Sequence, residues 1–160
     1  MFRSGELQRR VRRVASSPSL WPGSAPCADA DYSDAFEAPV AGSEDRSAEV
    51  WMRTALEGAP LLVRWFVKFG WRFVLGFRPS RSANILGWSI VEATDEWILL
   101  EQKSRLIAAA LLLRTAPAGL TWATRVRYEA KGAAIMWGLV GVVHRRVVPY
   151  VVSRAAAAYV

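Results

Sequence analysis

Two changes of period divide the chain. From residue 84 to residue 129 apolar residues alternate with polar ones, and from Lys131 onward they return at helical spacing. A period of two belongs to extended strands and a period near 3.6 to helices. A sheet is therefore predicted, followed by a helix that must bury its apolar side on it. Within the alternating region, residues 84–93 read as a strand, Thr94-Asp95-Glu96 as a turn and residues 97–103 as a second strand. Strands at 106–115 and 120–129 follow, separated by Ala116-Pro117-Ala118-Gly119. The last strand places Trp122, Thr124, Val126 and Tyr128 on one face and Thr121, Ala123, Arg125 and Arg127 on the other, as in a sheet with one buried and one solvated face. Loops this short join antiparallel neighbours, so a meander is expected.

Upstream, residues 31–40 alternate with Tyr32, Phe36 and Ala38 on one side and are closed by Pro39, which predicts a short first strand. Residues 43–58 read as an amphipathic helix, because Ala48, Trp51, Met52, Ala55 and Leu56 fall on one stripe and Gly58 stands where a C-terminal cap belongs. Pro60 suits the first position of a second helix, ending near Phe69 or Phe73. In the C-terminal helix, Met136, Leu139, Val140, Val143, Val147, Tyr150 and Val151 form the expected inward stripe, with Pro149 near its end. At 1.5 Å per residue such a helix reaches about 40 Å, enough to lie across the sheet. The fold class is thus α+β: a curved antiparallel sheet wrapped around a long C-terminal helix, a helix grip, with two short helices after the first strand.

Residues 1–30 carry Arg3, Arg9, Arg10, Arg12 and Arg13 ahead of Ser, Pro, Gly and Ala, with no periodic apolar face, and are expected to be a disordered basic tail before a domain spanning residues 31–160. The longest apolar run, residues 132–143, is 12 residues and ends in His144-Arg145-Arg146, short of the ~20 that a spanning helix needs. With 21 basic and 14 acidic residues the chain carries a net charge of +7, which admits an anionic partner. One Cys (Cys27) and one His (His144) rule out an internal disulfide and a structural zinc site built from Cys and His, and fit a reducing, cytoplasmic setting. No phosphate loop or dinucleotide fingerprint is present, so no cofactor is expected, and nucleic-acid binding has only the net charge behind it.

The order of elements, together with DYSDAF at residues 31–36, LGWSIVE at 86–92 and HRRVVPY at 144–150, resembles an uncharacterised bacterial domain family in the SRPBCC (START and polyketide-cyclase-like) superfamily. The resemblance covers residues 31–154. It implies a helix-grip fold and an apolar ligand held between the sheet and the C-terminal helix, and it implies no particular chemistry.

Three groups of residues are candidates for function. Trp88, Trp122, Tyr128, Met136 and Tyr150 are predicted to face inward, as the walls of a ligand cavity or as parts of a filled core. Arg64, Lys68 and Arg72 recur every four residues beside Leu61, Leu62, Trp65, Phe66, Phe69 and Phe73, and no acidic residue occurs between Gly58 and Val91. That combination suits a helix lying in a layer of anionic lipid headgroups, or a core helix with one solvated cationic edge. His144 is the one side chain that titrates near neutrality without perturbation. An acid–base role, as in a cyclase, isomerase or hydrolase, requires a partner such as Glu101, Glu92 or Asp34. No spacing along the chain brings these together, so no catalytic residue and no metal ligand is assigned.

Overall fold

The computed structural model describes residues 11–78 and 81–159. Strands β1 (Arg12–Val14), β2 (Tyr32–Pro39), β3 (Asn84–Ile85), β4 (Trp88–Ala93), β5 (Trp97–Lys103), β6 (Ile107–Ala116) and β7 (Gly119–Tyr128) form one antiparallel sheet in the order β1-β2-β7-β6-β5-β4-β3. Helices α1 (Ala48–Leu56), α2 (Leu61–Phe69) and α3 (Ala133–Tyr159) lie to one side, and α2 continues into a π-helical turn at Gly70–Val74. The class is α+β, with a seven-stranded open sheet and a long C-terminal helix in a helix-grip-like arrangement.

The residues buried in α1 are Ala48, Trp51, Met52, Ala55 and Leu56, the stripe predicted from spacing. Ser47 caps the helix by accepting from the Val50 N–H at 3.3 Å. The Trp51 indole donates to the Ser43 carbonyl at 2.8 Å, while the Ser43 hydroxyl donates to the carbonyls of Ala116 and Gly119 in the β6–β7 turn. Gly119 comes so close to β2 that a Cβ there would stand 2.3 Å from the Ala38 carbonyl oxygen, which only glycine tolerates. Tyr159, near the end of α3, donates to the Gly42 carbonyl at 2.9 Å and packs on Trp51 with ring centres 5.1 Å apart. One cluster thus ties the start of α1, the β6–β7 turn and the end of α3 together.

Four expectations need correction. The segment read as one strand over 84–93 is a hairpin: Leu86 and Gly87 both have positive φ, at 51° and 92°, and Ile85 pairs with Trp88 across them. Two consecutive positive φ values make the tight turn that matches strand twist, and Gly87 supplies one without strain.

Residues 12–30 of the expected tail are ordered in this structure, while residues 1–10 of it lie outside the described residues. β1 pairs along the edge of β2, and the chain then crosses the outer face of the sheet. There Trp21 and Cys27 are buried with Ala35, Leu99, Ala108, Ala110, Leu112 and Ala123. The Arg125 guanidinium stacks on Trp21 at 4.3 Å, Arg114 donates to the Leu20 carbonyl at 2.8 Å, and Arg127 pairs with Asp29 at 3.2 Å. The Cys27 thiol is pushed above its ordinary pKa chiefly by burial.

The outer face is consequently covered rather than solvated along its middle. Its alanines leave flat apolar ground that the Trp21 ring fills.

The inward stripe of α3 is rotated from the predicted one. Ala133, Trp137, Gly141, Val148, Val151, Val152, Ala155 and Ala156 are buried, whereas Leu139 is 69% exposed and Val143 41%. The helix is apolar on more than one side, so spacing alone did not select the buried side. It also runs unbroken through His144-Arg145-Arg146 and Pro149, and its 27 residues are long and apolar enough to cross a membrane by length and composition. In this fold its second half packs on α1 and the sheet.

Candidate functional site

Alternation along β2 and β7 sends Asp34, Phe36, Trp122, Thr124 and Val126 toward the helices, in the registers Asp34↔Thr124 and Phe36↔Trp122. Above them α2 and the first half of α3 stand off from the sheet and leave a cavity of about 380 Å³. Small-molecule sites typically enclose ~300–1,000 Å³, so the space is large enough to hold a ligand. The sheet supplies Trp88, Ala109, Leu111, Trp122 and Thr124; α2 supplies Val63, Arg64 and Phe66; α3 supplies Met136, Trp137, Val140 and His144. The wall is almost wholly apolar, and four of its residues are tryptophans, Trp71 being the fourth.

At one side of the cavity the structure assembles a buried polar cluster. Asp34 is 1% exposed, and its Oδ2 accepts from the Tyr32 hydroxyl at 2.5 Å and lies 3.1 Å from His144 Nε2. The His144–Asp34 contact has the separation of an ion pair without the alignment of a hydrogen bond, and Asp34 Oδ1 has no partner among the described residues. The imidazole also packs against the rings of Trp137 and Tyr32, with centres 5.3 and 6.5 Å away. Burial alone would raise the Asp34 carboxyl. The neighbouring His144, the Tyr32 hydroxyl and the charge of Arg13 outweigh it and hold the group below the ordinary carboxylate range. Burial first, and then the adjacent Asp34 carboxylate, push the Tyr32 phenol up to about 12.

Of the predicted wall residues, Trp88, Trp122 and Met136 line this cavity and Tyr128 and Tyr150 do not. Tyr128 is on the cavity face of β7 but at its far end, opposite Ile107. Tyr150 lines a separate, shallower hollow with Leu62, Val63, Phe66, Arg146 and Val147, because α3 turns that flank toward α2.

The basic triplet divides likewise. Arg64 lines the cavity and its Nε is buried without a partner among the described residues, while Lys68 and Arg72 border an outer groove with Trp65, Phe69 and Phe73. No residue of α2 is buried, so it is not a core helix: Leu62 is 81% exposed and Trp65 65%, and Phe73 in the following π-helical turn is 71% exposed. Trp65, Phe69 and Phe73 stack in succession on its outer surface, with ring centres 5.6 and 5.0 Å apart.

Asp34 was a named partner for His144 in the sequence, but nothing there joined the two. The usable signal was register: Asp34 falls in step with Tyr32, Phe36 and Ala38, which puts a carboxylate on the buried side of a strand. Among the described residues, no group of three or more His, Cys, Asp or Glu side chains is placed to hold a metal ion. Comparison with protein-family models, curated proteins and solved structures finds no match to this chain.

Proposed function

We propose that this protein binds a small apolar molecule in the cavity between the sheet, α2 and α3. The observation carrying the proposal is the cavity itself: about 380 Å³ of space with an apolar, tryptophan-rich wall between the sheet and the helices. The resemblance of residues 31–154 to the SRPBCC superfamily supports the same reading. Saturation with a hydrophobic ligand is expected to raise the melting temperature and to quench tryptophan emission, since Trp71, Trp88, Trp122 and Trp137 line the space. At one hundred times Kd the stabilisation is ~2.7 kcal/mol. Ala109→Phe, which fills the space from β6, is expected to abolish both effects. If hydrophobic compounds move neither signal in the native protein, the cavity is not a ligand site.

A second reading has its own observation, the exposed face of α2. Leu61, Leu62, Trp65, Phe66, Phe69 and Phe73 are exposed, Phe66 and Phe69 also bordering the cavity, and Ile135, Leu139 and Val142 on α3 are exposed as well. The chain has no acidic residue from 58 to 91 or from 130 to 160, so α2 and α3 carry only positive charge among their ionised groups. Apolar rings flanked by cations complement an anionic lipid surface, and this supports a membrane as the partner in the second reading. The protein is expected to co-sediment with vesicles containing phosphatidylglycerol, to release as salt is raised, and to remain in solution with phosphatidylcholine alone. Trp65→Ser with Phe73→Ser should abolish sedimentation. Salt-insensitive self-association with no vesicle binding would instead mark the face as a contact between copies of the chain.

A further inference from the structure

The cavity wall holds several polar side-chain atoms that no described residue satisfies. Among the described residues, Thr124 Oγ1, the indole nitrogens of Trp88, Trp122 and Trp137, Arg64 Nε and His144 Nε2 are buried without a hydrogen-bond partner, and all six residues line the cavity. Thr124, Trp88, Trp122 and Trp137 are 1%, 3%, 2% and 5% exposed. Buried polar groups are nearly always hydrogen-bonded in folded proteins, and each one left unpaired is costly, so six orphans around one cavity point to a missing complement. The kind of complement follows from the donors. An indole N–H only donates, so what is missing must accept.

Within the ligand reading proposed above, on which this step rests, we infer that the natural ligand is an apolar molecule bearing a neutral carbonyl, a ketone or an ester. Its oxygen is received at the Trp122–Thr124 end of the cavity. Those two residues sit at alternate positions on one face of β7, and Trp137 and His144 of α3 lie on the same cavity. A free carboxylate is disfavoured there. Asp34 stands directly across from Thr124 in the β2–β7 register and is held as a carboxylate, so a second negative charge would be repelled. The chain of the ligand then runs along Ala109, Leu111, Val63 and Val140.

The test compares dodecane, 2-dodecanone and dodecanoate by displacement of Nile red from the native protein and from a Thr124→Val/Trp122→Phe variant. Thr124→Val keeps shape and removes a donor, while Trp122→Phe removes the indole donor together with part of the ring, a change in filling that the dodecane arm reads separately. Circular dichroism and the melting curve establish that the variant is folded, and Thr124→Val alone serves if the pair is not. The native protein is expected to bind 2-dodecanone at least as tightly as dodecane and more tightly than dodecanoate. The variant should lose about tenfold for the ketone, the worth of about one hydrogen bond, and keep its affinity for the alkane. Equal losses for ketone and alkane, an unchanged ketone affinity, or a preference for dodecanoate would overturn the carbonyl assignment while leaving the cavity as a ligand site. Failure of all three compounds to displace the dye or to shift the melting temperature would remove the ligand reading itself.

Discussion

Trp51→Ala is expected to destabilise the protein by ~3–5 kcal/mol, seen as a lower urea midpoint at unchanged slope and a melting temperature lower by about 10 °C. The ring is fully buried, and its removal leaves a void between α1 and the end of α3 that backbone elements on both sides keep from collapsing. The indole N–H also carries a hydrogen bond to the Ser43 carbonyl, whose own hydroxyl fastens the β6–β7 turn. Trp51→Phe separates the two contributions. It keeps most of the packing and should cost about 1–2 kcal/mol, the range for a lost buried hydrogen bond with some imperfect filling. If the alanine variant loses less than the phenylalanine range, Trp51 does not hold these three elements together.

Asp34→Ala is expected to cost about 3 kcal/mol near neutral pH, because it leaves the Tyr32 hydroxyl buried without its acceptor and His144 without the carboxylate beside it. The pH dependence has a defined sign. The native carboxyl titrates below its unfolded value of ~3.9, so its contribution is present in full above that value and is lost as pH falls through the lower folded one. The stability gap between native protein and variant should therefore be constant from neutrality to about pH 5 and close at lower pH. A gap that widened on acidification would contradict a carboxylate held in its charged form. At the alkaline end, one tyrosine of the native protein should ionise near 12 when absorbance at 295 nm is followed, and Asp34→Ala should lower that value without restoring it fully, since burial of Tyr32 remains.

How much of this was legible in the sequence depends on how many sides of each element are apolar. α1 has one apolar stripe and a charged opposite face, and its five buried residues follow from spacing alone. Strands β5, β6 and β7 lie within a residue or so of their predicted bounds, because polar punctuation at Thr94-Asp95-Glu96, Ser104-Arg105 and Ala116-Pro117-Ala118-Gly119 leaves little freedom. α3 is apolar around much of its circumference, and which side faces the sheet is decided by where α2 and the cavity lie. No local pattern contains that information.

The cavity depends on the same distant arrangement. Trp88, Trp122 and Met136 could be named as inward-facing, but a filled core and a hollow one present the same alternation. The Asp34–His144 contact joins residues 110 positions apart. Each half was visible, a carboxylate in an apolar register and a histidine in an apolar helix, and only the packing of α3 over β2 makes them a pair. The segment from 12 to 30 misled for the opposite reason. Its ordering comes from the surface it covers rather than from any periodicity of its own.

That covering strip also determines how the sheet ends. The strand next to it, β2, has eight residues and would be a long open edge if the chain began there, whereas the sheet as it stands is bounded by β1 with three residues and β3 with two. Brief outer strands give neighbouring molecules little to pair with, and the Arg12–Glu37 ion pair sets charge along the join. Without the strip, the molecule would present a free ladder of amides beside an alanine-paved apolar face, the two ingredients of sheet-to-sheet polymerisation. The N-terminal segment thus pairs with part of that edge and covers that face in one stroke.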